Sequence, residues 1–483
     1  MTHSDKTRPQ PNAPRGRGET ATDPEEQVPR AVCSTKVSDL VYPLTISHRG
    51  GPNIYPENSW EAKEGSVSFG FVPEFDLQLL ADGKTLVSCH DATVDRTMNN
   101  IGTGLVNTKT VAEWKRARIK PAVPGGREGR PILWDEVLDK WGGQVVLVPE
   151  LKDSTAARVL IEGIVQRGLQ HSVVAQSFDW QVARRIAGAD IETLFLSDPY
   201  PTQTPREIVD AGIGFVGGSI RFWTRANVVA MQAAGLKVLL YTVNTVPEAN
   251  TPLALAADGL FSNDAWLTTE SIPVQSGDPF DQGIRPYGMG APYRSDGTEV
   301  LSPKLRLAGR ALGWSTSPAS VTYARAPWVG VVTRPVRLSL RIHFGPSTDQ
   351  TENAGLVLLG DAATRTFADR ALPGQNALLF VVRRDGRLGA WKYVDGAAGA
   401  ALASPAVPAV PFVRAGTEGI VDLSVVLDAA AVRVHAQGGN AVADLHVADT
   451  FTPANLGLVL RWPGTKAPGF PGFLSDISVA PLA

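Results

Sequence analysis

Two histidines in this chain stand where a proton could be moved. Leu44-Thr45-Ile46-Ser47 is a short apolar run that ends in His48-Arg49-Gly50-Gly51, and a second run ends in Ser88-Cys89-His90-Asp91. Carboxylates occupy similar places, with Glu74 and Asp76 in Pro73-Glu74-Phe75-Asp76 and Glu150 in Glu150-Leu151-Lys152. The chain holds only seven histidines in 483 residues, so two at strand exits beside three carboxylates form a pattern. Imidazole takes up and releases a proton near neutral pH, and clustered carboxylates suit a hard divalent cation. Together they point to a metal-assisted hydrolase with a two-histidine acid/base pair.

Those residues need strands to carry them. From about 39 to 272, apolar runs at 43–48, 71–79, 85–90, 145–151, 172–178, 192–197, 214–220, 237–243 and 258–262 alternate with amphipathic stretches. Helices are expected over 110–118, 134–141, 154–168, 179–188, 203–212 and 224–235. Strands alternating with helices imply parallel βαβ units. One connection is too short for a crossover: only Leu80 to Lys84 joins the second and third runs, and Asp82-Gly83 is a hairpin signal. The run ending at His90 is therefore expected to fold back antiparallel. A three-residue loop would set Asp76 opposite His90, and a two-residue loop would set Phe75 there; the first register is preferred. Leaving out the hairpin partner, eight strands remain, the count of a (β/α)₈ TIM barrel whose active site lies at the C-terminal strand ends.

Composition bounds the rest. Basic residues number 46 and acidic residues 48, a net charge of −2, so no global field favours nucleic acid. No stretch approaches the ~18 apolar residues of a membrane span. The N-terminus lacks the apolar core of a secretory signal, which makes the cytoplasm the default expectation. Cys33 and Cys89 cannot form a disulfide framework, and Cys89 reads as a small buried strand residue rather than a nucleophile. Residues 1–38 are rich in Pro, Arg, Glu and Thr and are expected to be a disordered tail. Residues 273–300 read as a linker. Beyond it the period changes to two, as in Leu338-Ser339-Leu340-Arg341-Ile342-His343-Phe344 and Val421-Asp422-Leu423-Ser424-Val425, so 301–483 is expected to be an all-β sandwich.

The region 39–272 resembles the glycerophosphodiester phosphodiesterase family of barrel-fold phosphodiesterases. The matching residues run in order: His48-Arg49-Gly50, Pro56-Glu57-Asn58-Ser59, Glu74-Phe75-Asp76, Asp82-Gly83, His90-Asp91, Asp95-Arg96-Thr97, Gly102-Thr103-Gly104, Glu150-Leu151-Lys152, Ser177-Phe178, Tyr241-Thr242-Val243-Asn244 and Asp258-Gly259. The resemblance implies that Glu74, Asp76 and Glu150 bind one divalent cation, Mg²⁺ or Ca²⁺, and that His48 and His90 are the acid/base pair. It makes Arg49 and Lys152 phosphate ligands and places Glu57 near the metal or against Arg49. Phe178, Tyr241 and Asn244 become candidate substrate contacts. Three departures stand out: Tyr241 where Trp is frequent, Pro149 before Glu150, and Ser262-Asn263-Asp264 after the last strand.

Each residue also has an ordinary reading. Lys152 could simply pair with Asp76 or Glu150, Phe178 and Tyr241 could be core, and Gly102-Thr103-Gly104 is a plain turn. The function implied is hydrolysis of a glycerophosphodiester, or of polyglycerol phosphate, to glycerol phosphate and an alcohol. Two alternatives stay open: a lysophospholipid or sphingolipid headgroup phosphodiesterase, and a non-catalytic protein whose sandwich grips a glycan or wall polymer. In that sandwich Trp391-Tyr393 and Arg461-Trp462 are candidate stacking residues, with core packing the ordinary alternative.

Overall fold

The computed structural model describes residues 35–265 except 245, and further on 293–294, 305–308, 311–314, 322–325, 334–359, 376–394, 400–403, 410–450, 455–461 and 472–482. The first region contains β1 (Leu44–Ser47), α1 (Trp60–Ser68), β2 (Val72–Leu79), β3 (Leu86–Ser88), β4 (Met98–Asn99), α2 (Val111–Arg116), β5 (Arg118–Ile119), α3 (Trp134–Trp141) and β6 (Val148–Leu151). It continues through α4 (Ala157–Gln166), β7 (Val174–Ser177), α5 (Trp180–Ala187), β8 (Glu192–Leu196), α6 (Pro205–Asp210), β9 (Phe215–Ser219), α7 (Arg225–Ala233), β10 (Lys237–Tyr241), α8 (Val246–Ala249) and β11 (Gly259–Ser262).

Eight of these strands pair in parallel in the order β1-β11-β10-β9-β8-β7-β6-β2, and a β1–β2 pairing closes the barrel. Side chains alternate along a strand, so one parity from every strand faces the lumen. Leu44, Ile46, Val148, Val174, Leu194, Leu196, Phe215, Leu239 and Phe261 pack there as one apolar plug. The opposite parity meets the helices, as where Phe75 packs edge-on against Trp134 at 5.3 Å. Continuing the lumen parity toward the C-terminal ends brings Glu74, Asp76, Glu150, Gln176, Tyr241, Asn263 and His48 to the mouth. The helix α1 was not expected: Trp60-Glu61-Ala62-Lys63-Glu64-Gly65 has no apolar stripe. Ser59 caps it by accepting the Ala62 N–H at 3.1 Å, which supplies a start signal of the usual kind.

The hairpin register differs from the preferred one. Leu77 pairs with Ser88, Gln78 with Val87 and Leu79 with Leu86, so the loop has two residues, and a continued ladder would set His90 opposite Phe75. The ladder runs only one bond further, the Cys89 N–H donating to the Asp76 carbonyl at 2.8 Å. The Gln78 side-chain amide donates to the Cys89 and Asp91 carbonyls, both at 2.6 Å, and draws the chain out of the sheet. His90 therefore leaves the strand before pairing can dictate its direction.

Two boundaries also move. Thr35 donates its hydroxyl to the Gln144 carbonyl at 2.9 Å and Val37 is buried, so the last residues assigned to the tail are part of the barrel. Tyr293–Arg294, inside the expected linker, is a strand paired with Thr322–Arg325. The rest of 273–300, residues 1–34 and Trp462 lie outside the described residues.

Beyond the barrel the chain is all-β. One seven-stranded antiparallel sheet runs 293–294, 322–325, 455–461, 353–359, 377–383, 388–393 and 400–403; the second runs 305–308, 311–314, 472–481, 336–344, 419–427, 431–438 and 441–448. Leu338, Leu340 and Ile342 of one sheet share a core with Leu356, Leu358 and Phe380 of the other, and Val123 from the barrel joins it. Among the described residues no helix is long and apolar enough to cross a membrane.

Candidate active site

The site starts with a strained turn. After β1 the backbone bends through Arg49 at φ 52°, a left-handed conformation that costs a non-glycine residue about 1 kcal/mol or more. Gly50 follows at φ 79°, where an added Cβ would lie 2.5 Å from the Ala62 Cβ, so glycine is required for α1 to pack this close. The bend aims the Arg49 N–H at Glu74 Oε2, 2.6 Å away, and swings the guanidinium over the mouth. There Nη1 lies 3.2 Å from Glu57 Oε1 and Nε lies 3.7 Å from Asp76 Oδ2.

Glu74, Asp76 and Glu150 sit side by side on β2 and β6, with Asp76 in register with Glu150. One oxygen from each lies within 4.8 Å of the others, and all three residues are buried. Lys152 Nζ sits 3.0 Å from Asp76 Oδ1 and 2.7 Å from Glu150 Oε1. Burial would raise Asp76, but Lys152 and Arg49, helped by His90 and His48, hold it well below the usual carboxylate range. Glu74 and Glu150 go the other way: burial raises both, and the Asp76 charge adds to it. A buried cluster that disfavours its own ionisation is what a divalent cation would relieve. The donor set of hard oxygens fits such an ion.

Beneath the carboxylates lies a layer that the sequence reading missed. Asn58, held at φ 57°, donates its amide to Asp76 Oδ2 at 2.7 Å. Its oxygen accepts from Lys63 Nζ at 3.0 Å and from Ser88 Oγ at 2.9 Å, which fixes the amide's orientation. Lys63 is fully buried, also donates to the Glu74 carbonyl, and lies 4.5 Å over the Phe75 ring. Burial lowers its pKa to about 8, against the pull of Glu74 and Asp76. Nothing in the local sequence marks Lys63, because a lysine on a helix without an apolar stripe reads as solvated.

The histidines occupy unlike environments. His48 Nδ1 lies 2.6 Å from Asn263 Oδ1, and Arg49 Nε contacts Nε2 at 3.3 Å. These partners assign the proton to Nδ1. Burial first, and the Arg49 charge second, lower the His48 pKa to about 4. Asn263 thus earns a role that was noted only as a departure; its strand parity with Phe261 was the available signal. Asn244 accepts the Asn263 N–H at 2.9 Å, so its amide oxygen holds that residue in place. His90 has a third of its side chain exposed (33%) and bonds through Nδ1 to Asp91 Oδ1 at 2.8 Å. It lies close enough to the carboxylates for its charge to act on Asp76.

Arg96 ties the two sides together. Its Nη1 and Nη2 reach the two Glu57 oxygens, each at 2.8 Å, while Nε and Nη2 reach Asp91 at 2.6 and 3.1 Å. Across the mouth, His48, Phe261, Tyr241 and Phe178 form a chain of edge-to-face rings at 6.4, 6.2 and 6.2 Å. Phe178 is 46% exposed, and Phe222, just beyond β9, is 52% exposed. Cys89 is buried, and burial pushes its thiol up to about 12, in keeping with a small packed strand residue rather than a nucleophile.

Known proteins resemble this barrel. Residues 48–266 match the Glycerophosphoryl diester phosphodiesterase family. YhdW of Bacillus subtilis (strain 168), provisionally named a glycerophosphodiester phosphodiesterase, is 28% identical over 232 residues, covering 45% of this chain and 93% of its own. A protein of Caldanaerobacter subterraneus named glycerophosphodiester phosphodiesterase is 33% identical over 150 residues, 28% of this chain and 58% of its own. Among solved structures, the Oleispira antarctica phosphodiesterase OLEI02445, in complex with the product sn-glycerol-3-phosphate, is similar at 23% identity and a TM-score of 0.39. That match covers 46% of this chain and 93% of the other.

Proposed function

The barrel of residues 48–266 belongs to the glycerophosphoryl diester phosphodiesterase family and is a phosphoric diester hydrolase, and from that premise we propose that it cleaves glycerophosphodiesters to glycerol phosphate and an alcohol with two histidines and one divalent cation. The observation that carries this reading is the meeting of His48, His90 and three buried carboxylates at one barrel mouth. Glu74, Asp76 and Glu150 would hold the cation, Mg²⁺ or Ca²⁺, which when bound polarises a phosphoryl oxygen as a Lewis acid.

The protein's own residues account for the remaining steps. Arg49 offers a planar two-pronged donor to the phosphate and Lys152 a point charge. His48, kept neutral by burial and by Arg49, has its Nδ1 proton engaged by Asn263. Its Nε2 lone pair, which accepts from Arg49 Nε in this arrangement, takes the proton of the attacking oxygen, from water or from the neighbouring glycerol hydroxyl, once Arg49 turns to the phosphate. His90, held through Nδ1 by Asp91, delivers a proton from Nε2 to the leaving alkoxide. Phe178 and Tyr241 form the wall that the alcohol meets. The two C-terminal sheets are read as the layers of a sandwich serving as a glycan- or polymer-binding module.

Purified protein should hydrolyse glycerophosphocholine with Mg²⁺ or Ca²⁺ and lose that activity in excess EDTA. Turnover undiminished by EDTA would remove the cation from the scheme, and no turnover of any glycerophosphodiester would leave a binding protein. The exposed rings of Phe178 and Phe222 favour a second reading, a lysophospholipid substrate with an apolar tail at the rim. A higher kcat/KM for lysophosphatidylcholine than for glycerophosphocholine would select it.

A further inference from the structure

The ion pairs at the mouth form one unbroken chain between the two histidines: His48, Arg49, Glu57, Arg96, Asp91, His90. Among the described residues, Glu57 and Arg96 are the members of it that touch neither imidazole nor the carboxylate cluster. The Arg96 guanidinium nevertheless grips both neighbouring carboxylates with two contacts each. Two oxygens are doubly used. Glu57 Oε1 serves Arg49 and Arg96, and Asp91 Oδ1 serves His90 and Arg96. We propose that Arg96 is a positioning residue, the clamp that sets the spacing between the His90–Asp91 pair and the Arg49–Glu57 pair, and through them the alignment of both imidazoles on one phosphate.

Arg96 is about half exposed, and an isolated pair at such a site contributes little to stability. A planar fork bonded to two carboxylates is a different object, because the angle of one pair fixes the angle of the other. Below the mouth Ser88 and Asn58 already tie together the segments that Arg96 joins. At the level of the imidazoles Arg96 is the tie between them among the described residues: Glu57 lies in the loop after β1, and Asp91 follows the point where β3 leaves its ladder. His90 is thus held by Asp91 rather than by the sheet, and Asp91 is held by Arg96. Proton transfer needs its partners placed to within about 1 Å, beyond which losses reach roughly 100-fold.

This inference rests on the proposed hydrolysis, and its test has a readout apart from turnover. In the metal-loaded full chain, Arg96→Lys keeps the charge but cannot bridge both carboxylates in plane. It should lower kcat on glycerophosphocholine about 10- to 100-fold, nearly as far as Arg96→Ala. In the Arg96→Ala background, adding Glu57→Gln or Asp91→Asn should cost less than about threefold more, because the coupling is already gone. Wild-type kcat in both Arg96 variants, or losses that multiply independently, would overturn the proposal. The second readout is the ¹⁵N spectrum of the histidine rings. His90 should show a fixed, hydrogen-bonded Nδ1–H in the wild type and a weakened, averaged Nδ1 signal in Arg96→Ala; an unchanged ring spectrum would overturn the clamp even if the wild type hydrolysed no glycerophosphodiester.

Discussion

Both halves of this molecule bury charge, and they do so in opposite ways. In the C-terminal half, Arg384 and Glu352 are fully buried, with Nε 3.1 Å from Oε2. The same guanidinium donates to the carbonyls of Arg414, Thr417 and Gly345 and lies 5.3 Å over the Phe344 ring. One cation meets one anion, and backbone carbonyls take most of the remaining donors. At the barrel mouth, five carboxylates (Glu57, Glu74, Asp76, Asp91, Glu150) share four cations (Arg49, Lys63, Arg96, Lys152), so that with every group ionised one negative charge would be left over. The first arrangement is closed and holds two sheets together. The second is open, and an open buried cluster is stable only if something else completes it.

The largest effect should come from the open cluster. His90→Ala and His48→Ala should each lower kcat by roughly 10²–10⁴ while leaving the unfolding transition close to the wild type. Far-UV circular dichroism and denaturant titration check the second half of that statement. Full turnover in either variant would mean that the mouth does not act through these imidazoles.

The closed pair should behave in reverse. Glu352→Gln strands a buried guanidinium, and breaking such a pair costs about 3–5 kcal/mol. The loss should be visible in urea unfolding of the C-terminal half, with kcat on glycerophosphocholine unchanged below the transition. An activity loss as large as that of the histidine variants would erase the distinction between the two regions.

Lys63 tests the boundary between them, since it is buried like Arg384 but belongs to the open cluster. Lys63→Met leaves the Glu74 carbonyl without its ammonium donor and the Asn58 oxygen with Ser88 alone. Stability should fall by about 1–3 kcal/mol. Because Asn58 would then be oriented by Ser88 alone, its hold on Asp76 should loosen and kcat should fall as well. A purely structural outcome, with stability lost and kcat intact, would move Lys63 to the side of Arg384.

How much of this was legible in the sequence follows the same division. Barrel strands announced themselves as apolar runs, and the residues at their exits were those the lumen parity delivers: His48, Glu74, Asp76, Glu150 and Tyr241. The strand 336–344 was equally plain, because its buried and open residues alternate along its length. Lys63 was invisible because its burial comes from α1 lying on β2, a tertiary fact with no local period. The hairpin register was lost for a related reason. Asp82-Gly83 fits either loop length locally, and Asp82 Oδ1 settles the turn by accepting the Lys84 and Thr85 N–H groups at 3.0 and 2.9 Å. Asn263 stood in view but looked like a departure, since only the folded barrel brings it against an imidazole 215 residues away.

The smallest expected effect is a pH dependence carried by His48. His48 binds its proton at about 4 when folded and at the ordinary 6.5 when unfolded. As pH falls through 6.5 the unfolded chain takes up that proton first, so stability present above 6.5 is lost progressively down to about 4. His48→Gln, which keeps a hydrogen-bonding side chain without a titrating ring, should flatten the decline of Tm between pH 6.5 and 4. A decline as steep as that of the wild type would show that burial does not keep this imidazole neutral, and the assignment of His48 as the neutral base would lose its footing.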